Sequence, residues 1–167
     1  MTIASDLLAD LEREAALTRK TLAAIPDGKF DFRPHPRSWT LGQLAGHIVD
    51  APSWIPAWRE DSMDFAAMGD YQPFTAKTTA ELLAGLDRHM AAAREALAGF
   101  DDRLMRGTWT ARKGDQELMK GRRDEVMRTT LLNHVIQHRG QLQVYLRLCG
   151  AIVPPTYGPT ADVAEWS

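Results

Sequence analysis

The feature that most restricts this chain is a helical rhythm of apolar residues broken by proline. Between Ser5 and Ala24, the residues Leu7, Leu8, Leu11, Ala15, Thr18 and Leu22 recur at three- and four-residue steps with charged side chains between them. That spacing lets one stripe of a helix be buried. The following segment IPDGKFDFRPHPRS contains Pro26, Gly28, Pro34 and Pro36, which deny it a continuous hydrogen-bond ladder. A second helix is predicted from an N-cap at Thr40 through Leu41, Leu44, His47, Ile48 and Ala51, with a kink or an early end at Pro52 and Pro56. A third starts at Thr78 or Thr79, with Glu81 at capping-box spacing and an apolar face of Leu82, Leu83, Leu86, Met90, Ala93 and Leu97. The fourth and longest runs from about Asp124 to Leu148 and ends at Gly150, in the position of a left-handed cap. Trp109 between two threonines, followed by Gly114-Asp115, allows a short hairpin, but no convincing set of strands emerges. The expectation is an all-α four-helix bundle in one domain, residues 1–167, with the proline-bearing tail lying extended across it.

Composition narrows the function more than the fold. The formal net charge is -2, which draws the chain neither to nucleic acid nor to an anionic membrane, so small molecules are the expected partners. Cys149 is the single cysteine, so no internal disulfide can form. Acidic residues Asp6, Asp10 and Glu12 stand among the first leucines, unlike a signal peptide, and no apolar run approaches the roughly 18 residues of a membrane span. A cytoplasmic setting is expected. Between Arg103 and Arg128 eight basic residues face four acidic ones. Such a segment is either a solvated loop or a rim that attracts an anionic ligand. Trp54 and Trp58, one turn apart, suit core or interface packing, or a pocket wall.

The fourth helix carries the chemistry. Residues three and four apart share a face, so Met127, Leu131, His134, His138, Gln141 or Leu142, and Tyr145 are expected on one side, with both imidazoles turned into the core. Two histidines on adjacent turns can chelate one divalent ion. His47, beside Leu44 and Ile48 on the apolar side of the second helix, could face them as a third ligand. The alternative is three buried histidines bonded to carbonyls and hydroxyls. His35, between two prolines, is expected at the surface, and His89 in the core or at its boundary. The stretch His134-Val-Ile-Gln-His138 lacks the glutamate that serves as general base in zincin proteases. Asp50, three residues after His47, could orient a ligand or take a proton from bound water, or simply be a solvated carboxylate. Gln43, Gln141 and Tyr145 could contact substrate, or pack.

WTLGQLAGHIVDA followed by LLNHVIQHRGQLQVYLRLCGAIVP resembles the DinB/YfiT-like superfamily of metalloenzymes, with Trp39, His47, the His134–His138 pair, Arg147, Gly150 and Pro154 carrying the match. The resemblance implies an up-down-down-up four-helix bundle with a long crossover. It further implies a zinc or nickel ion held by His47, His134 and His138, and a homodimer. It extends to thiol-dependent S-transferases and isomerases that use a low-molecular-weight thiol, and to metal-dependent hydrolases. The transferase is the favoured expectation, because a thiol at a cation loses its proton without a separate base. Hydrolysis would use bound water, with Asp50 as the nominated acceptor and with Gln141 and Tyr145 near substrate. The remaining alternative is a stress-related binding protein with a structural ion.

Overall fold

A computed structural model describes residues 1–69 and 71–165; the last two positions of the expected domain and its tail lie outside them. Helix α1 covers Ile3–Ala23 and opens on a reciprocal capping box between Thr2 and Ser5. Helix α2 covers Leu41–Asp50. Its cap is also reciprocal, since Thr40 Oγ1 accepts from the Gln43 amide at 3.1 Å and Gln43 Oε1 accepts from the Thr40 amide at 2.9 Å. Two orphan donors are thereby satisfied, and Gln43, considered above as a substrate contact, is committed to the cap instead. The chain beyond Asp50 tightens into a 3-10 segment, Ala51–Arg59, that contains both expected prolines. A short strand β1, Ser62–Asp64, follows.

Helix α3, Thr79–Ala98, begins at the predicted cap, but the box is only half formed. Thr78 accepts from the Glu81 amide at 3.2 Å, whereas the Glu81 carboxylate reaches past Thr78 to the Lys77 amide at 2.7 Å. After the short helix α4, Asp102–Arg106, strands β2, Thr108–Lys113, and β3, Gln116–Arg122, form the hairpin expected at Gly114-Asp115. The chain therefore contains a small sheet, contrary to the sequence reading of no convincing strand set. β1 pairs parallel to β2, with Ser62 opposite Thr110, giving the order β1-β2-β3. Trp109 is buried on β2 and stacks on Trp58 with ring centroids 4.1 Å apart, so Trp58 is a core residue. Trp54 packs on Tyr71, 4.8 Å between centroids.

The last long helix is continuous but not uniform. Helix α5, Arg123–Met127, passes through a π segment, Arg128–Asn133, into α6, His134–Leu148. In the first half of that segment Thr129 and Thr130 donate their hydroxyls back to the carbonyls of Glu125 and Val126, at 3.0 and 2.7 Å. A π turn holds an extra residue, so it re-aims every side chain that follows. The buried stripe downstream is Leu131, Leu132, Val135, Arg139, Leu142 and Leu146, not the stripe carrying the histidines. The end of α6 matches expectation: Gly150 adopts φ +77°, the Ala151 amide bonds the Leu146 carbonyl at 2.9 Å and the Gly150 amide that of Arg147 at 3.2 Å. This is a Schellman closure, which favours a residue without Cβ.

α1 and α2 each pack against both α3 and α6, so the four long helices form a bundle in which α1 and α2 are diagonal. Apolar residues from all four make up its core, including Leu7, Leu11, Leu44, Ile48, Leu82, Leu86, Leu142 and Leu146. The tail crosses this bundle and is pinned by charge. Arg139, 1% exposed, reaches Glu14 Oε2 at 2.8 Å and the Tyr157 hydroxyl oxygen at 2.7 Å, while that hydroxyl donates to Glu14 at 2.5 Å. Arg147 holds Asp162 with two bonds of 2.9 and 2.6 Å. Several side chains of the basic segment are paired: Arg112 meets Asp64, Arg122 meets Asp124 and Arg128 meets Asp10.

Candidate metal centre

His47 comes from the middle of α2, and His134 and His138 from the first two turns of α6, the two helices that pack face to face. Two close approaches fix where α2 sits. A Cβ at Gly46 would lie 2.6 Å from the Phe74 carbonyl oxygen, and one at Gly85 would lie 2.5 Å from the Phe74 ring, so both glycines are needed for the loop to pass between α2 and α3. His89 contributes to the same brace: its Nδ1 lies 2.8 Å from the Val49 carbonyl oxygen. It is thus a boundary residue that anchors α2 and has no place among the triad.

The three imidazoles converge. Each offers a ring nitrogen such that all three lie within 4.8 Å of one another, and the Nε2 atoms of His47 and His134 are 2.7 Å apart. Imidazoles sharing a first-row ion at about 2.1 Å place their nitrogens roughly 3 Å apart. Two Nε2 atoms this close need a proton or a cation between their lone pairs. His138 is prepared as a ligand by Gln141, whose Oε1 lies 2.7 Å from His138 Nδ1. An amide oxygen only accepts, so Nδ1 carries the proton and the Nε2 lone pair remains free. Burial, followed by the charges of His138 and His47, pushes the pKa of His134 down to about 4. Burial likewise lowers that of His47, with His138 adding to the effect and Asp50 opposing it. Both rings are therefore neutral at pH 7, the form in which histidine binds a metal. These three residues could hold a metal ion.

The rings are half-buried, at the edge of the bundle, where the sequence had suggested its core. The π segment re-aims His134 and His138, and His138 lines an open cleft of about 440 Å³ together with Arg37, Ser38, Trp39, Leu44, Gln141 and Tyr145. Trp39 is 48% exposed and packs against the triad, with centroids 4.9 Å from His47 and 6.0 Å from His138. Tyr145 donates its hydroxyl to the Trp39 carbonyl at 3.2 Å, tying the loop before α2 to α6. Of the residues expected at the site, Gln141 and Tyr145 thus line the cleft.

Asp50 does not. It is 7% exposed, so it is no solvated carboxylate, and its oxygens accept from the Tyr71 hydroxyl and from Ser53 Oγ, the latter at 3.2 Å. The partnership with Asp50, after burial, raises the Tyr71 pKa. Sequence reasoning missed Arg37 and Ser38 as cleft residues. The available signal was their position just ahead of the Trp39-Thr40 cap, which fixes the loop at the start of α2.

Comparison with known proteins bears on the family and the fold. The family model that matches is that of the DinB family, over residues 1–166. The chain is 27% identical over 158 residues to a Bacillus subtilis (strain 168) protein described as the uncharacterized protein YrdA, covering 93% of this chain and 87% of that one. A crystal structure of a DinB-like protein from Bacillus cereus ATCC 10987 superposes with a TM-score of 0.68 at 26% identity, covering 90% of this chain and 95% of that one. With the family model spanning nearly its whole length and a DinB-like structure matching its bundle, this chain belongs to the DinB family.

Proposed function

We propose that the chain is a divalent-metal-dependent transferase that joins a low-molecular-weight thiol to a small electrophile. His47, His134 and His138 would hold the ion, with zinc and nickel as the candidates because imidazole suits both. The observation that carries this reading is the convergence of three imidazoles beside an open cleft that His138 lines. When bound, the ion supplies the positive charge that keeps a thiol deprotonated at neutral pH.

The chain's own residues do the rest. Gln141 holds the His138 ring with its Nε2 lone pair available. Trp39 packs over one side of the triad, against the rings of His47 and His138. Tyr145, held against the Trp39 carbonyl, and Gln141 form the surface on which a substrate would be oriented. Hydrolysis needs a proton acceptor near bound water, and Asp50 suits that role poorly because Tyr71 and Ser53 already bond its oxygens. A cytoplasmic setting, where free thiols persist, accords with a chain whose only cysteine is Cys149.

The test is a comparison of substrates on metal-loaded protein. Conjugation of a thiol to an aromatic or epoxide electrophile, abolished in His138→Ala, is the expected result. Ester or amide cleavage without thiol dependence would replace the transferase with the hydrolase. Absence of both activities, together with unfolding when the ion is stripped, would indicate a structural ion.

A further inference from the structure

The cleft beside the triad contains a cation and no acid. Arg37 lines it, and neither Asp nor Glu does among the described residues. Most arginines of this chain are neutralised, as Arg19 is by Asp87, Arg94 by Glu12 and Arg147 by Asp162. Among the described residues the Arg37 guanidinium has no such partner. It is nevertheless carried on an ordered turn. The Ser38 amide bonds the His35 carbonyl at 2.8 Å, and the Arg37 amide donates to His35 Nδ1 at 3.2 Å. The loop is fastened on the α2 side as well, where the Leu41 and Gly42 amides bond the carbonyls of Phe32 and Phe30 at 2.8 and 2.9 Å. An unpaired guanidinium on a fixed loop, at the rim of a site, is arranged to receive a carboxylate through two parallel bonds. Three imidazole ligands bring no negative charge, so a divalent ion held there would add its full charge to that of Arg37, although the chain as a whole is slightly acidic.

We infer that Arg37 is a recognition residue for a carboxylate, and that the cleft takes a small anionic ligand whose acid group meets Arg37 while its reactive end lies at the triad. This rests on reading the cleft as the substrate site. The carboxylate belongs either to the thiol or to the electrophile, and the experiment separates the two. Metal-loaded protein is titrated calorimetrically with 3-mercaptopropionate and 3-mercaptopropionamide, and separately with benzoate and benzamide. The same titrations are run on Arg37→Gln and Arg37→Lys, with metal content measured in each.

A charge-assisted bond predicts that the acid binds about tenfold more tightly than its amide in at least one pair. Arg37→Gln should remove that preference at unchanged metal content, and Arg37→Lys should keep part of it. A preference confined to the mercapto pair assigns the carboxylate to the thiol; one confined to the benzoyl pair assigns it to the electrophile. Equal affinities for acid and amide in both pairs would overturn the inference. So would a preference that survives in Arg37→Gln, because the acid would then be bound by the ion itself. Failure of both thiols to bind, alongside an Arg37-dependent preference for benzoate, would reject the transferase and leave Arg37 in its role.

Discussion

Gly46→Ala sets two effects of opposite sign against each other immediately before His47. Helix propensity alone favours alanine in the interior of α2 by about 1 kcal/mol. The new Cβ would, however, lie 2.6 Å from the Phe74 carbonyl oxygen, a backbone atom that cannot rotate away. Overpacking of that kind costs about 1 to 3 kcal/mol. An approach this close to a backbone atom falls in the upper part of that range, about 2 to 3 kcal/mol, so the contact outweighs propensity with a net loss of roughly 1 to 2 kcal/mol. For a domain of this size that lowers Tm by roughly 2 to 8 °C. Gly140→Ala is the internal control, since it too lies inside a helix but its Cβ would meet nothing within 4 Å. It should raise Tm by roughly 2 to 4 °C through propensity alone. Thermal unfolding of the metal-free proteins measures both. Zinc titration should also show weaker binding in Gly46→Ala, because His47 moves with the helix. A Gly46→Ala protein as stable as Gly140→Ala, with parental zinc affinity, would refute the argument that the Phe74 loop braces this side of the site.

The His134 pKa near 4 sets a pH dependence for the metal-free protein. Between pH 6.5 and 4 the unfolded chain binds the proton that the folded site refuses, so the stability associated with this residue is intact above 6.5 and lost as pH falls toward 4. Denaturation midpoints at pH 7 and 5 check it, and His134→Gln should flatten the difference. Gln141→Ala frees the His138 ring to take either tautomer and should weaken metal binding about 10- to 100-fold, as read by competition with a chelating dye. Removing one partner of the buried Arg139–Glu14 pair, by Arg139→Met or Glu14→Leu, should cost about 3 to 5 kcal/mol in chemical denaturation. The double replacement should cost less than either single one, since no charge is then left buried alone.

The triad was legible because its signals are local: His134 and His138 stand one turn apart, and His47 sits among the apolar residues of a helix with clear caps. The hairpin was legible for the same reason, through Gly114-Asp115 between short extended runs. What escaped depended on distant contacts. β1 is three residues long and pairs with β2 far along the chain, so no periodicity marks it. The π segment leaves the residue pattern almost unchanged yet turns α6 enough that His134 and His138 are half-buried at the edge of the expected core. Arg123 and Arg139 are each 1% exposed, and arginine is among the last residues one would assign to a core. Their burial follows from partners such as Asp61 and Glu14, which sequence spacing does not connect. The burial of Asp50, read in the sequence as a possible solvated carboxylate, escaped for a similar reason, because Tyr71, which bonds it, lies 21 positions away.

That three imidazoles hold one ion is a quantitative statement about metal content. Its most direct test is elemental analysis of protein purified without added metal and again after dialysis against zinc, for the parent chain and for His47→Ala, His134→Ala and His138→Ala. Near-stoichiometric metal is expected in the parent and little in any variant, with helical content preserved in all four. Metal retained in every variant, or a parent that takes up none while remaining folded, would contradict it.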